Sequence, residues 1–135
     1  MDIHAINECL ELSHVGKITF LEVAQKLAAA SAQRYIVDLI GLKMLYYGNE
    51  DETYTAPFSF KNSKVALEFN PQAVQSAIKD IQQQKIDYHT FLNLIMKAGC
   101  SHYEVFITGK KAIYTGRDGS HHIEHFPQSS KGNNQ

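Results

Sequence analysis

The residues of this chain that could do chemistry most directly are its histidines, its two cysteines and one short acidic run. His121, His122 and His125 lie close together, with His14, His89 and His102 elsewhere. On a strand, His121 and His125 share one side with Ile123 between them, while His122 and Glu124 share the other. Imidazoles four residues apart on a strand stand roughly 13 Å apart, too far to hold one metal ion directly. A metal site would need His102 or another residue brought in by the fold, and solvated or partly packed strand histidines are the expectation. Cys100 has His102 two residues on, the outline of a nucleophile with a base. It falls at the C-terminal end of a helix, however, where the backbone dipole disfavours a thiolate. Cys9 reads as a core position in the middle of a helix. Glu50-Asp51-Glu52 reads as a solvated turn. The glycine-rich phosphate loops, the nucleophile elbow and the zinc-binding helix motif are all missing from the sequence. The expectation is therefore no catalytic residue, no cofactor and no bound metal.

The elements that would position any site follow from a repeat. Lys17 to Gly48 recurs without a gap as Lys85 to Gly116. Identical pairs include Tyr35/Tyr103, Val37/Val105, Gly41/Gly109, Lys43/Lys111, Tyr46/Tyr114 and Gly48/Gly116. Cys100 has Ala32 as its counterpart, which suggests a small packing position. Such self-similarity indicates a duplicated unit. Asp2 to Leu12 carries Ile3, Ile6 and Leu10 at helical spacing. Thr19-Phe20-Leu21-Glu22 has the capping-box pattern, with Ile18 and Val23 placed as a hydrophobic staple. In the second unit Asn70-Pro71 starts a helix expected to run to Gln84, and Asp87 caps the next one. Each helix pair precedes a hairpin. Taking Gly41-Leu42 and Gly109-Lys110 as two-residue turns sets Leu39 opposite Met44 and Val37 opposite Tyr46. A third strand is expected after each hairpin, at Thr53 to Thr55 and at His121 to Phe126, with a further strand at Lys64 to Phe69. The fold class is then α+β: two helix-helix-strand-strand-strand units related by a pseudo-two-fold, with helices packed on one face of an antiparallel sheet. Residues 1–128 form a single domain of two repeats, about 1–68 and 69–128, and 129–135 are expected to be a disordered tail.

Strand alternation separates two faces. Tyr35, Val37 and Leu39, with Tyr103, Val105, Ile107, Ala112 and Tyr114, should meet the helices. The other face collects Ile36, Ile40, Leu45 and Tyr47, and in the second unit Phe106 and Ile113. These six residues form a candidate interaction face, to be covered by the segment from Ser59 to Phe69, by a protein partner or homodimer, or by a ligand. A second candidate is a pocket between the repeats, where Tyr46 and Tyr114, and Lys43 and Lys111, could meet.

Bulk properties exclude several classes. The chain has 135 residues and a net charge of −1 with histidine neutral. Its two arginines, Arg34 and Arg117, and its scattered lysines make no basic cluster, so nucleic-acid binding is not expected. No apolar run approaches a membrane span, and the polar N-terminus does not read as a signal peptide. A reducing cytoplasm with two free thiols is the expected setting.

The segment order, the Lys97-Ala98-Gly99 helix ending, the tyrosine-bearing hairpin and the Gly116-Arg117-Asp118-Gly119 turn resemble the YdfO-like family of phage and prophage proteins, often labelled phage envelope proteins. The resemblance covers most of the chain and is clearest from about Asn70 to Phe126. It implies a phage or prophage ancestry and brings no activity, ligand or site residue with it. The reading of the sequence is a non-enzymatic protein-interaction module that uses the outer sheet face. The alternative is a small-ligand binder, or an enzyme, with its pocket between the repeats.

Overall fold

The computed structural model describes residues 1–58 and 64–127. The expected tail at 129–135 and the first part of the proposed covering segment, 59–63, lie outside the described residues. In chain order the elements are α1 (Ile3–His14), α2 (Phe20–Ala29), β1 (Ala32–Asp38), β2 (Lys43–Gly48), β3 (Thr53–Pro57), α3 (Pro71–Gln82), α4 (Tyr88–Lys97), β4 (Cys100–Phe106), β5 (Lys111–Gly116) and β6 (His121–His125). The strands form one six-stranded antiparallel sheet in the order β3-β2-β1-β4-β5-β6. The class is α+β. None of the described helices is long and apolar enough to cross a membrane.

Local chemistry accounts for the helix starts. The Thr19 hydroxyl accepts from the Glu22 N–H while the Glu22 carboxylate accepts from the Thr19 N–H at 2.8 Å, a complete capping box. Asp2, Asn70 and Asp87 each accept an early N–H of α1, α3 and α4 through a side-chain oxygen. These bonds satisfy donors that the helix geometry leaves without a backbone partner.

The hairpins correct the expected turns. Asp38 pairs with Lys43, Val37 with Met44 and Tyr35 with Tyr46, so the loop holds four residues, Leu39 to Leu42, rather than two. The register lies two residues from the expected one. The second hairpin behaves alike, with Phe106 opposite Lys111 and Tyr103 opposite Tyr114. The left-handed residue in each loop is Leu42 or Lys110, not the glycine. Asp38 determines the first loop: its carboxylate accepts from the N–H groups of Ile40 and Gly41 at 3.1 and 2.8 Å. A Cβ on Gly41 would stand 2.5 Å from that carboxylate, which would have to turn away and give up its hold on the loop. A shift of two leaves every strand residue on its expected face, because the side-chain period is also two.

A second correction concerns Lys64 to Phe69, which are not a strand. They cross the end of α4 as irregular chain. The Ala66 N–H donates to the Met96 carbonyl, and Arg117 donates to the carbonyls of Val65 and Ala66 at 2.8 and 3.3 Å. Val65 is buried there while Leu67 is 81% exposed, so the alternating apolar residues do not share one buried face.

One continuous core lies between the helices and the inner sheet face. It includes Ile6 and Leu27 from the first helix pair, Val74, Phe91 and Ile95 from the second, and Tyr35, Val37, Tyr46, Tyr103, Val105 and Tyr114 from the sheet.

Candidate functional site

Pairing across the sheet brings the inward side chains into two neighbouring rows. One runs Tyr54, Tyr46, Tyr35, Val105, Ala112 and Glu124. The next runs Ala56, Met44, Val37, Tyr103, Tyr114 and His122. Each half of the sheet thus puts tyrosines beside the small or aliphatic residues of the other. Tyr35 and Tyr46 stand 5.3 Å apart between ring centres, and Tyr103 and Tyr114 stack at 5.0 Å. Phe91 of α4 meets both Tyr103 and Tyr114 edge-on. Such tilted, offset and edge-to-face arrangements suit the ring quadrupoles.

These rings do not fill the space between sheet and helices. A cavity of about 620 Å³ lies there. Tyr35, Tyr46, Tyr103 and Tyr114 form its floor with Ala112. The α1–α2 and α3–α4 junctions form its sides, where Cys9 and Tyr88 reach it. Phe20 and Phe126 also line it and pack edge to face at 5.0 Å, joining α2 to the end of β6. The volume falls in the range of small-molecule sites.

The polar groups inside are phenols. The Tyr88 and Tyr103 hydroxyls bond each other at 2.7 Å. Among the described residues, the Tyr46 hydroxyl has only the Met44 thioether, at 3.8 Å. Among the described residues, the Tyr35 and Tyr114 hydroxyls have no hydrogen-bond partner. These residues are only 6% and 7% exposed, yet no fully buried side-chain oxygen among the described residues lacks a partner. Their oxygens therefore open onto the cavity that both residues line. Burial holds the Tyr35 and Tyr103 phenols well above the ordinary tyrosine range, raises Tyr46 and Tyr114, and pushes Tyr88 up to about 12. The phenols also raise one another: Tyr35 feels Tyr88, Tyr46 and Tyr114, and Tyr103 feels Tyr88, Tyr35 and Tyr114. At neutral pH all five are neutral hydroxyls that can donate.

Charged groups stand at the rim and at one edge of the floor, where the half-buried Glu124 follows Ala112 in the inward row and bonds His122. Lys17, Lys85, Glu22 and Asp87 are exposed at the mouth. Glu22 and Asp87 are held below the usual carboxylate range, first by the N–H bonds of Thr19 and Thr90 that make them part of helix caps. Neither is a base poised near neutrality. Cys9, at the wall, has its thiol raised by burial, and Cys100 is pushed up to about 12 by the same cause, away from the nucleophilic form. His102 does not face the Cys100 thiol as a base; that thiol donates to the His102 backbone carbonyl at 3.2 Å.

The pocket foreseen between the two halves joins Tyr46 and Tyr114 on its floor but not Lys43 and Lys111. Both lysines stand on the opposite sheet face, on the same side as Leu45 and Ile113, and could not have met the tyrosines. Sequence pattern alone places three further floor and wall tyrosines, Tyr35, Tyr88 and Tyr103, in the packed sheet face or a helix stripe. The signal that could have singled them out is a hydroxyl-bearing ring at inward positions of both halves, where phenylalanine would pack without a polar tip.

The outer face is less continuous than its composition suggests. The row Thr55, Leu45, Ile36, Glu104, Ile113, Ile123 is broken at its centre by Glu104. Glu104 accepts from Arg34 at 2.5 Å, and the Arg34 guanidinium lies 3.6 Å over the Tyr47 ring. Tyr47 and Phe106 flank this ion pair, and Ile40 belongs to the hairpin loop rather than to the sheet. None of Ile36, Leu45, Tyr47, Phe106 and Ile113 packs into the core. His121 and His125 lie exposed on this side. His122 turns inward to Glu124 at 2.9 Å, and among the described residues no three metal-ligating groups come together.

A profile described as a protein of unknown function (DUF1398) matches residues 43–124, from β2 to β6. No curated protein matches the chain.

Proposed function

The chain therefore belongs to the DUF1398 family, and from that premise we propose that it is a small-molecule-binding protein whose ligand occupies the tyrosine-floored cavity. One observation carries the reading: two phenol hydroxyls, on residues at least nine-tenths buried, open onto a cavity of about 620 Å³ without a partner among the described residues. A hydroxyl that faces the cavity without a protein partner can bond a molecule held there, and each such bond is worth about 0.5–1.5 kcal/mol. Binding is favoured over catalysis because the rim carboxylates serve as caps and both thiols are driven toward the protonated form.

The same proposal includes the ancestry of the fold. The helix-helix-strand-strand-strand order occurs twice, and the matched tyrosines Tyr35/Tyr103 and Tyr46/Tyr114 all reach the cavity. Both facts support a duplicated unit related by a pseudo-two-fold, with the binding site along its seam. A phage or prophage origin and a cytoplasmic location rest on the sequence resemblance and composition alone.

Ala112→Leu tests the cavity reading. Ala112 is 4% exposed and forms part of the floor, so the added carbons enter the cavity. The expected result is a folded protein whose stability is unchanged or raised by about 1 kcal/mol, because void is filled rather than core overpacked. Small aromatic compounds that raise the melting temperature of the parent should no longer do so. Destabilisation by several kcal/mol, or undiminished ligand shifts, would count against the site.

The protein-interaction reading, including a homodimer, retains one supporting observation: the half-exposed Ile36, Leu45 and Ile113 on the outer face lie outside the core. If that face associates, Ile36→Lys with Leu45→Lys should turn a dimer into a monomer by light scattering while the circular dichroism stays native. A parent protein monomeric at every concentration removes the homodimer.

A further inference from the structure

Building on the cavity reading, we infer that the ligand is an uncharged, planar aromatic compound carrying a carbonyl or similar acceptor oxygen, held by the hydroxyls of Tyr35 and Tyr114. The shape follows from the walls. Tyr35, Tyr46, Tyr103 and Tyr114 present ring faces and edges from the floor, and Phe91 is set edge-on to two of them. A flat ring system gains offset and edge-to-face contacts with such walls that a flexible chain cannot make all at once.

The acceptor follows from the protonation state. Burial keeps these phenols neutral across the physiological range, so each retains a proton to donate. The Tyr88–Tyr103 pair uses only one of its two protons internally, which leaves another donor nearby. A ligand oxygen with two lone pairs answers this set, whereas a ligand offering only donors would leave the phenol protons unmatched.

The absence of charge on the ligand follows from the same interior. Lys17, Lys85, Glu22 and Asp87 are exposed at the mouth, and beside the floor stands the half-buried carboxylate of Glu124, which already bonds His122. An anion carried to the tyrosine floor would lose its water and meet the Glu124 carboxylate instead of a counter-charge, a penalty several-fold larger than one hydrogen bond returns. A cation could use the ring faces and Glu124, but it would offer no acceptor to the phenol protons.

The test is a matched series, naphthalene, acetylnaphthalene and naphthoate, titrated calorimetrically into the full chain and into the Tyr35→Phe, Tyr114→Phe double variant. The expected result is that the ketone binds about tenfold or more tighter than the hydrocarbon, the worth of one to two hydrogen bonds. In the double variant the ketone should fall to within about twofold of the hydrocarbon, whose own affinity should hold or rise because it no longer covers an unpaired hydroxyl. Native circular dichroism of that variant, in which only two oxygen atoms are lost, keeps the comparison interpretable. Equal binding of ketone and hydrocarbon by the parent, or a ketone preference that survives in the double variant, overturns the acceptor assignment. Tighter binding of naphthoate overturns the uncharged class. Both results leave the cavity as a site. If none of the three binds the parent, and Ala112→Leu neither preserves nor raises stability, the cavity reading itself fails.

Discussion

Raising the pH from 9 to 12 is expected to unfold the protein cooperatively, with far-UV circular dichroism and the tyrosinate absorbance changing together. Five phenols, on Tyr35, Tyr46, Tyr88, Tyr103 and Tyr114, are pushed by burial above the ordinary value near 10. In the unfolded chain they ionise near that value; in the folded chain they keep their protons, Tyr88 up to about 12. The folded state then binds more protons than the unfolded state, and stability falls as pH rises. The stability these groups support is complete below pH 10 and is lost as pH climbs toward their folded values. Each group removes about 1.4 kcal/mol per pH unit in that window, so five together remove about 7. That is comparable with the whole stability of a small domain, about 5–15 kcal/mol. The thiols of Cys9 and Cys100 act in the same direction. If the five tyrosines titrated near pH 10 in a chain whose far-UV spectrum stayed native, they would be solvated, and the buried cavity floor would be wrong.

That steepness comes from residues the sequence places well and explains poorly. The period of two assigns Tyr35, Tyr46, Tyr103 and Tyr114 to the inward face without any knowledge of the turns. For that reason a wrong loop length at Leu39 to Leu42 did no harm to the faces. The loop itself was not legible because its cause is the Asp38 carboxylate, which folds back on two N–H groups and lets Leu42 take the left-handed conformation. Glycine as a turn marker points to the wrong residue there; Gly41 is small to clear Asp38, not to bend the chain. The cavity was legible only as a possibility. Alternation shows which side chains meet the helices, but not whether the volumes of two helix pairs and twelve inward positions fill the space between them. The outer face was legible as a mixed surface, but not its arrangement: the antiparallel pairing of β1 with β4 puts Glu104 between Ile36 and Ile113 and brings Arg34 to it. That pairing joins residues about seventy positions apart and is invisible to local pattern.

Gly99→Ala is expected to cost at least about 3 kcal/mol, and Ser31→Gly at the matching point of the first half no more than about 1 kcal/mol in either direction. Both residues follow a helix in the left-handed region, Gly99 with φ 88° and Ser31 with φ 67°. A side chain there costs roughly 1–2 kcal/mol by itself, and Ser31 already bears that cost with its side chain exposed to solvent. At Gly99 the space is taken as well. A Cβ would lie 2.1 Å from the Glu68 carbonyl oxygen and 2.9 Å from the Phe69 Cα, both backbone atoms that cannot rotate away. The irregular chain from Lys64 to Asn70 would have to lift. With it would go the Asn70 N–H bond to Ala98 at 2.7 Å, the Arg117 bonds to Val65 and Ala66, and the placement of Phe69 against Gly116. Asn70 also caps α3, so the loss reaches one side of the cavity through Ile78 and Ile81. Urea unfolding of the two variants side by side separates strain from crowding, because only the second differs between the sites. A Gly99→Ala cost as small as that of Ser31→Gly would mean that the 64–70 segment yields freely, and that the sheet and helices hold the cavity open without it.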